Sequence, residues 1–240
     1  MSINESRKQI RPLVDDSNPA DSPSAYYALF HPAEKSALAT YQTPSGKTTA
    51  FAGRFQTGVD LFRPLVTLRA PSPDIAAYLL AQLLVVGRPY IFFAPLNQLA
   101  MVGGSLEVEN QRIARIYTLE PARFSPQMNV LIQHKTAHDG TPRCEIKSNG
   151  QVVASAGVSW KSPAFAEIYV QALGPARQKG MDQAVLGALA GVLLNQGLRA
   201  VYLAENGEDG SRAMVESLGF VDTGSRQVYA DTVYMGNPSA

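Results

Sequence analysis

Ala166-Glu167-Ile168-Tyr169-Val170-Gln171-Ala172, followed by Gly174-Pro175-Ala176 and then Arg177-Gln178-Lys179-Gly180-Met181-Asp182, is the stretch on which the reading of the fold turns. Its first seven residues carry the apolar and β-branched character of a short strand. Gly174-Pro175 breaks the strand, and the residues from Ala184 to Leu194 carry no charge, which predicts a buried helix over Asp182–Gln196 closed by Gly197. A strand, a loop and a helix in this order set backbone N–H groups at a helix N-terminus, where unpaired donors and the helix dipole attract anions. Gly180 lets the backbone approach a phosphate closely, and Arg177 and Lys179 add positive charge.

Working outward, Ala200–Ala204 reads as a buried strand, and Ser211 as the cap of a helix that Gly219 stops after Leu218. Strands near Phe220–Val221 and Gln227–Tyr234 finish the chain. Upstream, Arg143–Ser148 and Val152–Trp160 form a hairpin around Asn149-Gly150, a type I′ turn signal. The same order of signals occurs earlier. Strands over Ala37–Tyr41, Thr48–Phe55 and Leu65–Arg69 precede a helix over Asp74–Val86, with Ser72 as its cap, Pro73 at its first position and Gly87 at its end. A strand over Pro89–Ala94, a helical piece near Leu96–Val102 and a strand over Ile113–Leu119 follow. Both long helices end in glycine and are followed by an arginine (Arg88, Arg199), with matching points about 100–110 residues apart. The expectation is an ancient duplication, set against two unrelated halves that share an order. The expected class is α/β (α+β): two lobes with mixed, mostly antiparallel sheets flanked by helices. Residues 1–25, polar and containing Pro12, Pro19 and Pro23, read as a flexible arm, 26–125 as the first lobe and 126–240 as the second.

The second lobe, from Pro142 to Met235, resembles the GNAT superfamily of acetyl-CoA-dependent N-acetyltransferases. The family's pyrophosphate loop, Gln/Arg-x-x-Gly-x-Gly/Ala, is met by Arg177 and Gly180, but its last position here is Asp182. Asn206 and then Ser211-Arg212-Ala213-Met214-Val215-Glu216-Ser217-Leu218-Gly219-Phe220 are similar to the family's second signature. The resemblance implies acetyl-CoA as cosubstrate, held by Arg177, Gln178, Lys179, Gly180, Met181, Asp182, Asn206 and Ser211. It implies that the strand before the loop splays, so that backbone groups of Val170, Gln171 and Ala172 meet the pantetheine and polarise the thioester. It places Glu167 where many members carry the general base, a carboxylate that takes the amine's proton; the plainer alternative is a strand-end glutamate that faces solvent or pairs with a neighbouring lysine such as Lys161. The family's general-acid tyrosine falls on Val215, which cannot donate a proton, leaving Tyr229 or Tyr234 as substitutes or as ordinary strand residues. The implied activity is transfer of an acetyl group to the amine of a small molecule or peptide; a catalytically degenerate CoA-binding relative is the alternative. The first lobe has no such loop, since Ala70-Pro71-Ser72-Pro73 leads straight into its helix and prolines lack N–H donors, so a degenerate lobe is expected there.

Composition bounds the rest. The 240 residues are 45% apolar and 17% charged, with a formal net charge of +1. That gives no electrostatic case for nucleic acid. The one cysteine, Cys144, excludes an intrachain disulfide and suggests a reduced, cytoplasmic setting. The polar N-terminal stretch lacks a signal peptide's apolar core, and no run reaches the roughly 20 apolar residues of a membrane span, so no membrane partner is expected. A homodimer is left open. His134, His138 and Asp139 suit a metal only on one helical face, and the surrounding residues predict a strand end and loop instead. Cys144 reads as a packing residue without a histidine partner, and Trp160 and Phe165 as hairpin packing.

Overall fold

The computed structural model describes residues 2–58, 60–126 and 131–237. It divides into two compact units, 1–114 with 225–240, and 115–224.

In the first unit, strands β1 (Ser36–Gln42), β2 (Thr48–Phe55) and β3 (Leu65–Arg69) run antiparallel in sequence order. Helix α3 (Pro73–Ala81) then crosses to β4 (Pro89–Pro95), which pairs parallel to β3. Ser72 caps α3 through the Ile75 N–H, 3.4 Å away. The helix stops five residues before the expected Val86, because two side chains take over its last polar groups. The Tyr90 hydroxyl accepts the Val85 N–H at 2.9 Å, and the Arg54 guanidinium donates to the Leu83 carbonyl at 3.0 Å. The short helix α4 (Leu99–Val102) follows. The core joins Leu68, Leu79, Leu80, Tyr90 and Phe92 to Val228, Ala230 and Tyr234.

The N-terminal arm is an ordered part of this unit. Helix α1 (Ile3–Ile10) opens with a capping box between Ser2 and Glu5. Its last residue, Ile10, is fully buried among Ala28, Leu29 and Phe51. A second short helix, α2 (Ser22–Ala25), continues as a single π-turn over Tyr26–Phe30. Arg69 ties this region down, donating to the Leu13 carbonyl at 3.1 Å and pairing with Asp21. Pro12 lies in a 3-10 turn over Arg11–Leu13, Pro19 in the turn before α2, and Pro23 in the first turn of α2 itself. Ile10→Val is expected to cost about 1 kcal/mol, the usual loss for one buried methyl group. A denaturant titration showing no shift in midpoint would return 1–25 to a loose arm.

In the second unit β6 (Ile132–Thr136), β7 (Pro142–Ser148), β8 (Gln151–Lys161) and β9 (Phe165–Ala172) run antiparallel in sequence order. A helical turn, α5 (Gly174–Arg177), and helix α6 (Met181–Asn195) lead to β10 (Arg199–Glu205), parallel to β9. Helix α7 (Asp209–Ser217) follows; it begins two residues before Ser211, so Glu208 and not Ser211 stands at its cap position. The strand–helix–strand order of the first unit thus recurs here. Asn149 and Gly150 both have positive φ (50° and 80°), as a type I′ turn requires. Gly219, at φ 96°, lies so close to the Arg123 carbonyl that a side chain there would collide with it.

Two strands carry the chain from one unit to the other. β5 (Leu106–Leu119) contributes 106–114 to the first and 115–119 to the second, where it neighbours β10. β11 (Phe220–Tyr234) contributes 220–224 to the second and 225–234 to the first, antiparallel to β4. A boundary at 125/126 therefore does not describe the molecule, because each unit's sheet includes a strand segment from beyond it. The expected separate strands at Phe220–Val221 and Gln227–Tyr234 are one strand, with Gly224 left-handed (φ 83°) within it.

Candidate functional site

The site in the second unit begins where two parallel strands part. β9 and β10 are in register only from Phe165↔Arg199 to Glu167↔Val201. Beyond that rung β9 continues with β8 alone. The Leu173 N–H donates to Val153 at 2.9 Å, so with Ser155 opposite Gln171 the alternation of an antiparallel ladder turns the Gln171 amide toward β8 as well. The intervening residues, Val170 and Ala172, direct their backbone groups toward the opening. Of the three residues expected to offer free backbone there, Val170 and Ala172 are so placed and Gln171 is not.

Glu167 stands on the last paired rung. A bulge in β8 between Val158 and Trp160 sets Trp160 opposite it, and the indole N–H donates to Glu167 Oε2 at 2.5 Å. Burial of the carboxyl pushes its pKa up to about 7, with the Trp160 and Ser159 hydrogen bonds working in the other direction. Glu167 is thus neither a free surface glutamate nor the partner of Lys161. Trp160, read from sequence as hairpin packing, is its hydrogen-bond partner.

A cleft of about 470 Å³ opens beside these strands, between the starts of α6 and α7. Val170, Arg177, Gly180, Asp182 and Ser211 line it, together with Tyr202 and Glu208, which the sequence did not single out. Tyr202 is the first residue of β10 past the last rung. It is 8% exposed, its hydroxyl hydrogen-bonds Ser211, and burial raises its pKa. Val215, at the general-acid position of the resemblance, is fully buried in the core. Tyr229 and Tyr234 belong to the first unit, the former under the Arg112 guanidinium, 4.6 Å from the ring centre, and the latter within the core. A strand position flanked by apolar residues marks a core tyrosine equally well, so no local signal distinguished Tyr202.

The loop departs from an open phosphate nest. The turn of α5 uses the N–H groups of Arg177, Gln178, Lys179 and Gly180 in hydrogen bonds of 2.9–3.1 Å to carbonyls of Leu173, Gly174, Ala176 and Arg177. Asp182 accepts the Gln183 N–H at 2.9 Å and pairs with the Arg177 guanidinium at 3.6 Å. Gly180 is left-handed (φ 68°), the conformation that lets the chain turn from α5 into α6. Gln178 and Lys179 are exposed on the outside of the turn, and Met181 packs against the core. Asn206 lies outside the cleft lining and accepts from Arg115 at 3.4 Å.

In the first unit β3 and β4 part in the same way, after Val66↔Phe92. There the Ala70 N–H at the opening is taken by the Gln98 side chain at 2.8 Å. A cavity of about 810 Å³, lined in part by Arg69, Gln98 and Gln227, adjoins it. No loop corresponding to 174–180 precedes α3.

The minor candidates resolve simply. His134 lies in strand β6, and Asp139 accepts the Thr141 N–H and hydroxyl at 3.0 and 2.7 Å. Among the described residues no group of three His, Cys, Asp or Glu could hold a metal. Cys144 does have a histidine partner, His134 Nδ1 at 3.5 Å, yet burial pushes its thiol up to about 11, which keeps it protonated. No helix among the described residues is long and apolar enough to cross a membrane.

No protein-family model and no curated protein matches the sequence. Solved structures do resemble its fold. A Drosophila protein is 12% identical with a TM-score of 0.67, covering 99% of this chain and 96% of its own. A tandem GNAT protein of the clavulanic acid biosynthesis pathway is 12% identical with a TM-score of 0.61, covering 98% and 97%. A GNAT-family acetyltransferase from Colwellia psychrerythraea is 13% identical with a TM-score of 0.59, covering 95% and 96%. With likenesses that span both units, and a splayed strand pair in each, the chain has the two-lobe GNAT fold.

Proposed function

We propose that the second unit is an N-acetyltransferase that moves an acetyl group from an acetyl-CoA-type thioester to the amine of a small molecule or peptide. The observation that carries this reading is Glu167: a carboxyl at the last rung of a splayed strand pair, with a pKa of about 7. An amine attacks only without its extra proton, and a base poised near neutral pH removes that proton most effectively. The amine nitrogen bonds to the thioester carbon, Glu167 takes the amine proton directly or through water, and the carbon–sulfur bond breaks. Backbone groups of Val170 and Ala172 support the carbonyl oxygen as charge develops on it. Tyr202 gives the departing sulfur its proton, and Glu167 returns one to solvent, from which Tyr202 is restored.

The test is thiol release over a panel of amines, with the acetylated product identified by mass. Tyr202→Phe is expected to lower kcat about five- to tenfold with KM nearly unchanged, a modest loss because a thiolate leaves readily on its own. An unaltered kcat across pH 6–9 would make Tyr202 a packing residue.

One observation favours a second reading. The Arg177–Asp182 pair occupies the phosphate end of the loop, as expected of a catalytically degenerate relative that binds a CoA species without turnover. Binding without thiol release from any amine in the panel would select it.

A further inference from the structure

The two ends of the 470 Å³ cleft differ in chemistry. At the strand end the cleft offers the backbone of Val170 and the hydroxyls of Tyr202 and Ser211, partners for the amides and carbonyl of a pantetheine thioester. At the loop end many of the groups that would receive a pyrophosphate are already engaged, while the Met181 and Asp182 N–H groups in the first turn of α6 have no partner within the helix. Four successive N–H groups, Arg177 to Gly180, close the turn of α5, and the Gln183 N–H is held by Asp182. The only cation in the lining, Arg177, pairs with Asp182, and Glu208 adds a second carboxylate. One arginine against two carboxylates leaves the lining at −1.

CoA carries a pyrophosphate and a further phosphate beyond its pantetheine. Bringing that charge to a negative lining is unfavourable, since like charges repel and the repulsion grows where water is excluded. A pantetheine thioester without the adenosine pyrophosphate meets only the complementary end. We therefore infer that the preferred acyl donor of this site is a pantetheine thioester lacking the adenosine pyrophosphate of CoA. This inference rests on the proposed transferase reading but concerns the donor alone. The transfer balances as before: a nitrogen–carbon bond forms, the carbon–sulfur bond breaks, and pantetheine leaves as its thiol. Such a donor is either free or the phosphopantetheine arm of a carrier protein, attached through one phosphate.

The experiment separates binding from turnover. Calorimetry on the full chain at low salt compares pantetheine, 4′-phosphopantetheine and CoA, and product formation is followed separately with their acetyl thioesters. Pantetheine is expected to bind at least tenfold more tightly than CoA, with the gap narrowing as salt rises and narrowing about tenfold in Asp182→Gly. Phosphopantetheine binding as tightly as pantetheine points to a carrier arm; clearly weaker binding points to a free thioester. CoA binding equal to or tighter than pantetheine overturns the inference, even where acetyl transfer is found. Preferred pantetheine binding with no product from any donor leaves the donor class standing and removes the transferase reading.

Discussion

Glu167→Gln is expected to lower turnover by about 100-fold or more with little change in donor affinity, because glutamine cannot take a proton while its shape and its bond to Trp160 survive. In the unaltered protein kcat/KM should rise with pH through about 7, the pKa of the buried carboxyl, and that rise should vanish in the variant. A stability measurement checks the same geometry without any substrate. The folded-state pKa lies above the ordinary glutamate value, so between about pH 4.5 and 7 the folded chain holds a proton that the unfolded chain has lost. Stability therefore falls as pH rises through this window, and above it the buried carboxylate is a net cost. Glutamine has no such cost. Glu167→Gln should match the parent near pH 4.5 and exceed it at pH 8 by on the order of 2 kcal/mol. Unchanged turnover near neutral pH removes Glu167 from the mechanism. An absence of pH-dependent stabilisation means that its carboxyl is solvated.

Asp182→Gly is expected to tighten CoA binding about tenfold, or about 1.4 kcal/mol. The gross repulsion between the carboxylate and a phosphate is larger, roughly 3 kcal/mol at 5 Å and an effective dielectric of 20, but under 1 kcal/mol where water screens it. The Asp182 side chain is 13% exposed and its partner Arg177 is 64% exposed, so partial screening applies. Replacement also frees the Gln183 N–H and the Arg177 guanidinium for the ligand. Thermal stability should drop slightly, since an aspartate in a first helical turn is favoured by roughly 0.3–1 kcal/mol and glycine weakens a helix. Arg177→Ala should weaken CoA two- to threefold, an effect that fades with salt. If neither substitution alters CoA affinity at low salt, no CoA pyrophosphate sits on this loop.

Much of the fold was legible because its signals are local. β2, β3 and β9 fall within a residue of the runs that predict them, and the Asn149-Gly150 turn and the charge-free helix α6 need no distant partner to be recognised. The misreadings have non-local causes. The first part of β5, with Glu107, Glu109 and Arg112, carries no strand signal of its own, and the expected strand begins only at Ile113; it is strand because it has a sheet to join. The arm is ordered by Ile10 entering a pocket of Ala28, Leu29 and Phe51. α3 ends early at the hands of Tyr90 and Arg54.

The site divides along the same line. Arg177, Gly180 and Asp182 could be named from order and spacing, since a strand, a loop and a helix set that loop at a helix N-terminus, whereas Glu167 was named only through the resemblance to the GNAT superfamily. The sequence by itself thus determined the strand–helix–strand units and their recurrence. Tertiary structure alone decided that β5 and β11 each serve both units, and that Trp160 reaches Glu167 across a bulge. It also decided that Tyr202 and not Tyr229 or Tyr234 faces the cleft, and that Asp182 holds Arg177. Hydrophobic alternation is set by neighbours two to four residues apart, whereas strand partnership, bulges and the pKa of a buried carboxyl depend on residues brought together from distant parts of the chain.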